Sequence, residues 1–194
     1  MSTQQDLEKY ILWLSTPFGD RESQNLHEQA VHYMLQHADL AQPRLLELLE
    51  SGESTNIFAI MDILPKFGRP ESVPVLANVL ADGEENVANE AALALAQHPL
   101  TTARDALVSA LSSSNPIVVS AAADGLFAMG DKTACAALRA VHHHPNANTR
   151  YHIIQTEAQL GCLSSDDLAT TLNQDNDPDI RDMLTKFMDK NNPS

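Results

Sequence analysis

Three histidines stand in a row in "AVHHHPNANTR", His142, His143 and His144, and a His-Glu pair stands at His27-Glu28. Imidazole and carboxylate are metal-binding and proton-moving groups, so both places invite a reading as chemistry. Consecutive residues on a helix are turned about 100° from one another, however, so three adjacent histidines do not converge on one ion. A two-metal centre needs several imidazole and carboxylate ligands from different elements, and the chain shows one His-Glu pair. No Ser-His-Asp or Cys-His set assembles from the spacing. The expectation is no catalytic residue, no metal and no cofactor. The two cysteines, Cys135 and Cys162, form no CxxC and are expected to be reduced residues of a cytoplasmic protein.

What must position these side chains is a repeat. Gly68, Gly130 and Gly161 each end a helical-looking stretch, at gaps of 62 and 31 residues, and Pro99 takes the missing place. The same step of 31 carries Leu45 to Leu76, Leu107 and Leu138, and Leu64 to Leu95 and Leu126. It also carries the turn row Gly52, Gly83, Ser114, Pro145 and Asn176, followed by Glu53, Glu84, Asn115, Asn146 and Asp177. Acidic and amide side chains there suit helix N-termini. Within each unit the apolar residues fall at i, i+3, i+4 and i+7, twice, which gives a helix A and a helix B. Pro43 and Pro74 fall near the start of helix A, and Pro65 is expected to kink or end the second helix B. Units of about 7–37, 38–68, 69–99, 100–130, 131–161 and 162–192 fill one domain, 1–194. The reading is all-α, a right-handed α-solenoid of about six two-helix repeats of period 31. Trp13 and Phe18 of the first unit either cover the open end of the core or dock something.

On the same spacing His142 shares a row with Leu49, Leu80 and Leu111 and is expected to pack, neutral, in a leucine position. His143 falls on a solvent row and His144 at the end of the fifth helix A. His32 and His98 are expected half-buried.

The segments "DPDIRDML", "NANTRYHIIQTEAQLG" and "NPIVVSAAADGLFAMG" resemble HEAT-like repeats of the phycobilisome-lyase type. The resemblance implies an architecture. The family's arginine is kept at Arg150 and Arg181 and replaced at Ile57, Ala88 and Val119, which weakens any polar ladder in the earlier units. Repeats of this kind also occur in bilin lyases, in DNA alkyl-base glycosylases and in a di-iron hydroxylase, so the fold alone does not select an activity.

Charge narrows the choice. The net charge is −14, no two Lys or Arg are adjacent, and the acidity is concentrated towards the N-terminal half. That excludes a phosphate-backbone partner and favours a protein or peptide, a basic one above all. No apolar run is long enough for a membrane span, and no basic region marks a signal peptide. The expected function is a non-catalytic protein-interaction scaffold, cytoplasmic, monomeric or weakly dimeric. The alternatives are an immunity- or inhibitor-type partner protein and an enzyme of the bilin-lyase or metal-dependent hydroxylase kind. The expected binding face is the concave side lined by helix B, with His27, Glu28, Phe58, Asp62, Asn89, Glu90, Asp124, Tyr151 and Gln155.

Overall fold

The computed structural model describes residues 3–14, 16, 19–52 and 56–191. Phe18 and Glu53 lie outside the described residues. Twelve α-helices follow one another there, and no strand is present among the described residues. They are α1 (Thr3–Leu14), α2 (Arg21–Gln36), α3 (Ala38–Ser51), α4 (Ile57–Phe67), α5 (Ser72–Asp82), α6 (Glu85–Gln97), α7 (Thr101–Ala110), α8 (Pro116–Met129), α9 (Cys135–Val141), α10 (Ala147–Leu160), α11 (Ser165–Gln174) and α12 (Pro178–Asn191). Odd-numbered helices pack on the even-numbered helix that follows, and each pair stacks on the next, which is an α-solenoid.

The helix ends have local causes. Asn115 Oδ1 accepts from the Ile117 amide at 3.0 Å, and Asn146 Oδ1 from the Thr149 amide at 3.0 Å. Asp177 Oδ1 accepts from Asp179 and Ile180. Glu84 makes no such bond, although it occupies the same row. At the other end, α4, α8 and α10 stop at Gly68, Gly130 and Gly161, all in the left-handed region where a Cβ is costly. Pro65 does not break α4. The helix ends two residues beyond it, and the Pro65 carbonyl accepts from the Gly68 amide at 3.0 Å. Pro43 lies deeper than its row suggested, because α3 starts back at Ala38.

The two helix layers pack unequally. Between successive units the most extensive packing is α6 with α8 and α8 with α10, all B helices, whereas the A helices contact one another less. Small side chains allow it. Ala88, Ala91, Ala92, Ala94, Ala121, Ala122 and Ala123 are buried, and a Cβ placed on Gly125 would stand 2.9 Å from the Ala92 carbonyl oxygen. One apolar core runs from α1 to α10. A second, smaller one joins α10 to α12 through Ile154, Ala158, Leu163, Ile180 and Leu184. Trp13 is partly buried against the main core, edge-on to Tyr10 at 5.1 Å, with Lys9 Nζ 4.2 Å above it. It therefore covers the first unit rather than projecting from it.

The cysteines are joined. Cys135, at the start of α9, and Cys162, just after α10, form a disulfide, with their Cα atoms 5.3 Å apart. This corrects the expectation of reduced thiols, which rested on the absence of a framework and not on proximity. Tying residues separated by 27 positions removes unfolded-chain freedom worth roughly 3–4 kcal/mol.

Candidate functional site

The B helices carry a polar row on the face turned away from the apolar stripe. Asp62 on α4 and Glu90 on α6 are half-buried, as is Asn89. Asp62 Oδ2 accepts from Lys66 Nζ at 2.6 Å, one turn along its own helix. No cation among the described residues pairs with Glu90. Burial, with the charge of Asp62 added, raises its carboxyl above the ordinary value. Leu93, one turn beyond Asn89, is exposed. On α8, Asp124 Oδ1 meets His152 Nδ1 of α10 at 2.9 Å, and this hydrogen bond raises the imidazole above its usual value against the opposing effect of burial. Asn89, Asp124, His152 and Glu85 line one small polar cleft of about 150 Å³ between α6, α8 and α10.

The structure thus brings Asp62 together with Glu90, and Asn89 with Asp124. It does not bring the rest of the expected set to one place. His27 is half-buried and Glu28 exposed on α2, at the N-terminal end of the stack. Phe58, 43% exposed, borders an apolar notch with Leu49, Val79 and Val87. Tyr151 borders a separate cleft with Asp182, Met183 and Lys186, and Gln155 is half-buried on α10. Ser120, on the same row as Phe58 and Tyr151, is not a surface residue. It is buried, its Oγ lying 3.0 Å from the Pro116 carbonyl oxygen and 3.1 Å from Thr149 Oγ1, so that its one O–H donates to one of them. Among the described residues no group of three or more His, Cys, Asp or Glu is placed to hold a metal ion.

A family model of HEAT repeats matches residues 42–126 and 73–156, more than half of the chain. The chain is a HEAT-repeat protein. A comparison with curated proteins gave no match. HEAT repeats commonly act as protein-interaction scaffolds and are typically non-enzymatic. No described helix is long and apolar enough to cross a membrane.

The fifth HEAT unit departs from the others. Helix α9 ends at Val141, so the histidine run is a turn after the helix and not its last turn. All three residues border one cleft of about 590 Å³, with Arg139, Arg150, Asp167 and Thr171. His142 is buried, but it is not a leucine substitute in an apolar pocket. Its Nδ1 hydrogen-bonds Oε2 of Glu157, a carboxylate that is 0% exposed. His142 Nε2 meets Thr171 Oγ1 at 3.4 Å. The second Glu157 oxygen has no hydrogen bond and faces Arg139 Nε at 3.5 Å. Arg150 closes the cleft from the other side, bonded to Asp175 at 2.7 and 2.9 Å, which holds the Asp175 carboxyl below the usual range.

Glu157 was within reach of the sequence. One more step of 31 from Leu64, Leu95 and Leu126 lands on it, so His142 and Glu157 both stand in leucine rows. His152 had no such signal. The two other histidines also differ from expectation: His32 is exposed, and His98 is fully buried, 3.0 Å from Ser72 Oγ and pushed down by burial.

Proposed function

We propose that this HEAT-repeat protein is a non-catalytic scaffold that binds a basic protein or peptide along its B-helix face. In a curved stack the more closely spaced layer lies inside, and the B layer is the closer one. The observation that carries the reading is Glu90: a half-buried carboxylate beside Asp62, raised by burial, with no cation of its own among the described residues. A lysine or arginine from a partner would pair with Glu90, since Asp62 is already bonded to Lys66. Exposed Leu93 and Phe58 supply apolar contact next to them. Asp124 extends the acidic row towards α10, hydrogen-bonded to His152. Tyr151 and Gln155 lie at the far end of that row, while His27 and Glu28 lie at the near end.

The cytoplasmic assignment is part of the same proposal. Disulfides in reducing compartments are mostly transient, so that setting calls for a cysteine pair that opens and closes.

The test is capture from the native host with cross-linking, using wild-type protein beside Phe58→Ala and Asp62→Asn/Glu90→Gln/Asp124→Asn variants. A partner retained by the wild type and lost by the acid-to-amide variant, at unchanged helicity, supports the reading. Equal retention moves the binding face elsewhere.

A further inference from the structure

The 31-residue spacing gives the Cys135–Cys162 disulfide a series of counterparts. One unit earlier the same two positions hold Arg104 and Asp131, an ion pair at 3.6 Å. Two units earlier they hold Val73 and Leu100. The joint one unit earlier therefore closes through an ion pair and without a covalent bond, and the fold does not demand one here.

The fifth unit has a weak helix A. A single 3-10 turn, Lys132–Ala134, runs into the seven-residue α9, and together they bury Ala134 and Leu138, where α5 buries Val73, Val75, Leu76 and Leu80. So short a helix has little intrinsic stability, and it has little apolar area to hold it down. Its anchors are polar and lie on one face: Cys135, Arg139 and His142 stand at i, i+4 and i+7. Arg139 donates to the Cys162 carbonyl at 2.6 Å and reaches Glu157 and Asp167 at 3.5 Å each. The disulfide fixes the first residue of this face, and the His142–Glu157 contact fixes the last. Both cysteines are partly exposed, within reach of a thiol from solution.

We infer that Cys135–Cys162 is a reversible thiol–disulfide site that sets the order of α9 and, with it, the shape of the histidine cleft. Its reductant is a dithiol, either a protein or a small molecule. One thiolate of the dithiol attacks one sulfur of the pair. The Cys135–Cys162 S–S bond breaks, and the other cysteine leaves as a thiolate that takes a proton from solvent. The second thiolate of the dithiol then resolves the mixed disulfide. Two electrons and two protons have passed to the cysteines, and the dithiol is left as a disulfide. Helix α9 is then held by Leu138, the Arg139 contacts and the His142–Glu157 contact, with its first residue released. It frays, and the cleft wall from Arg139 to His144 opens. A disulfide of the same class reverses the step.

The site is independent of what the B face binds, and its test needs no partner. Full-length protein is treated with glutathione disulfide or with dithiothreitol and compared by hydrogen exchange and differential alkylation. The reduced protein is expected to exchange the amides of residues 135–144 about tenfold faster, with those of α5 to α8 unchanged. C135S/C162S should match the reduced protein and ignore the redox treatment. Because reduced wild type reaches that state without substitution, poor folding of the variant does not obscure the result. Three outcomes overturn the inference: cysteines that alkylate freely despite glutathione disulfide, identical exchange in both states, or equally faster exchange in every helix, which marks a plain structural cross-link.

Discussion

Between α6 and α8 the contact is made by alanines and by Gly125, and between α10 and its neighbours Thr149, Arg150, Thr156 and Glu157 add polar bonds to the apolar contacts of Ile153, Ile154 and Ala158. The first joint holds because almost nothing protrudes from it, so the helices come close and bury their stripes together. The second adds specific polar pairs to its apolar core. Thr156 Oγ1 donates to the Ala123 carbonyl at 3.3 Å, at the very position where the preceding unit has Gly125. The two joints should fail differently: the apolar one to added volume, the polar one to a missing partner.

The largest effect is expected in the polar joint. His142→Leu leaves the Glu157 carboxylate buried with Arg139 alone, at a cost of about 3–5 kcal/mol. His142→Leu/Glu157→Leu restores the leucine pair of the other units and should return to wild-type stability or exceed it by about 1–4 kcal/mol. Urea unfolding measures both. A double variant as unstable as the single one would mean that the pair is needed for packing.

Next comes the apolar joint. Gly125→Thr places there the residue that the following unit carries, against an oxygen and a methyl 2.9 and 3.2 Å from the new Cβ. It should cost about 1–3 kcal/mol, since the α6–α8 spacing cannot widen locally. No loss would show that the two joints are alike.

Acid should separate the regions by sign. His98, buried beside α5, is lowered from its ordinary 6.5, so the unfolded chain binds more protons and stability rises with pH up to about that value. His152, at the α8–α10 joint, is raised above 6.5. Its contribution is complete below that value and is lost as pH climbs through the folded pKa. Thermal melts between pH 5 and 8 should therefore show His98→Gln flattening the acid limb, and His152→Gln flattening the limb above it. The same slope in both variants would erase the distinction.

The smallest effect is expected at the one-turn ion pairs Lys66–Asp62 and Lys186–Asp182, both open to solvent at the lysine. Lys→Ala at either should change stability by less than about 1 kcal/mol. A larger loss at one would mean that surface charge, and not the joints, separates the two halves.

The step of 31 made the pairing of helices legible, because a period of apolar residues is written in the chain itself. The same period put Asp62 and Asp124 on one row of helix B, with Val31 and Leu93. Glu157 follows from the same period taken one unit further. The disulfide does not, since nothing in the spacing of Cys135 and Cys162 says that α9 and the α10–α11 link meet. The Asp124–His152 pair depends on how far α8 and α10 are rotated, and the burial of Ser120 depends on Thr149 reaching it. Both are set by side-chain packing between units, which a single-chain period does not encode.

The most direct test of the acidic B face is the affinity of a captured partner for wild-type protein and for Asp62→Lys/Glu90→Lys/Asp124→Lys, at low and high salt. Charge reversal at a row that reads a basic partner predicts a loss of at least about a hundredfold and a weaker dependence on salt. Equal affinity with an unchanged salt dependence would contradict the account.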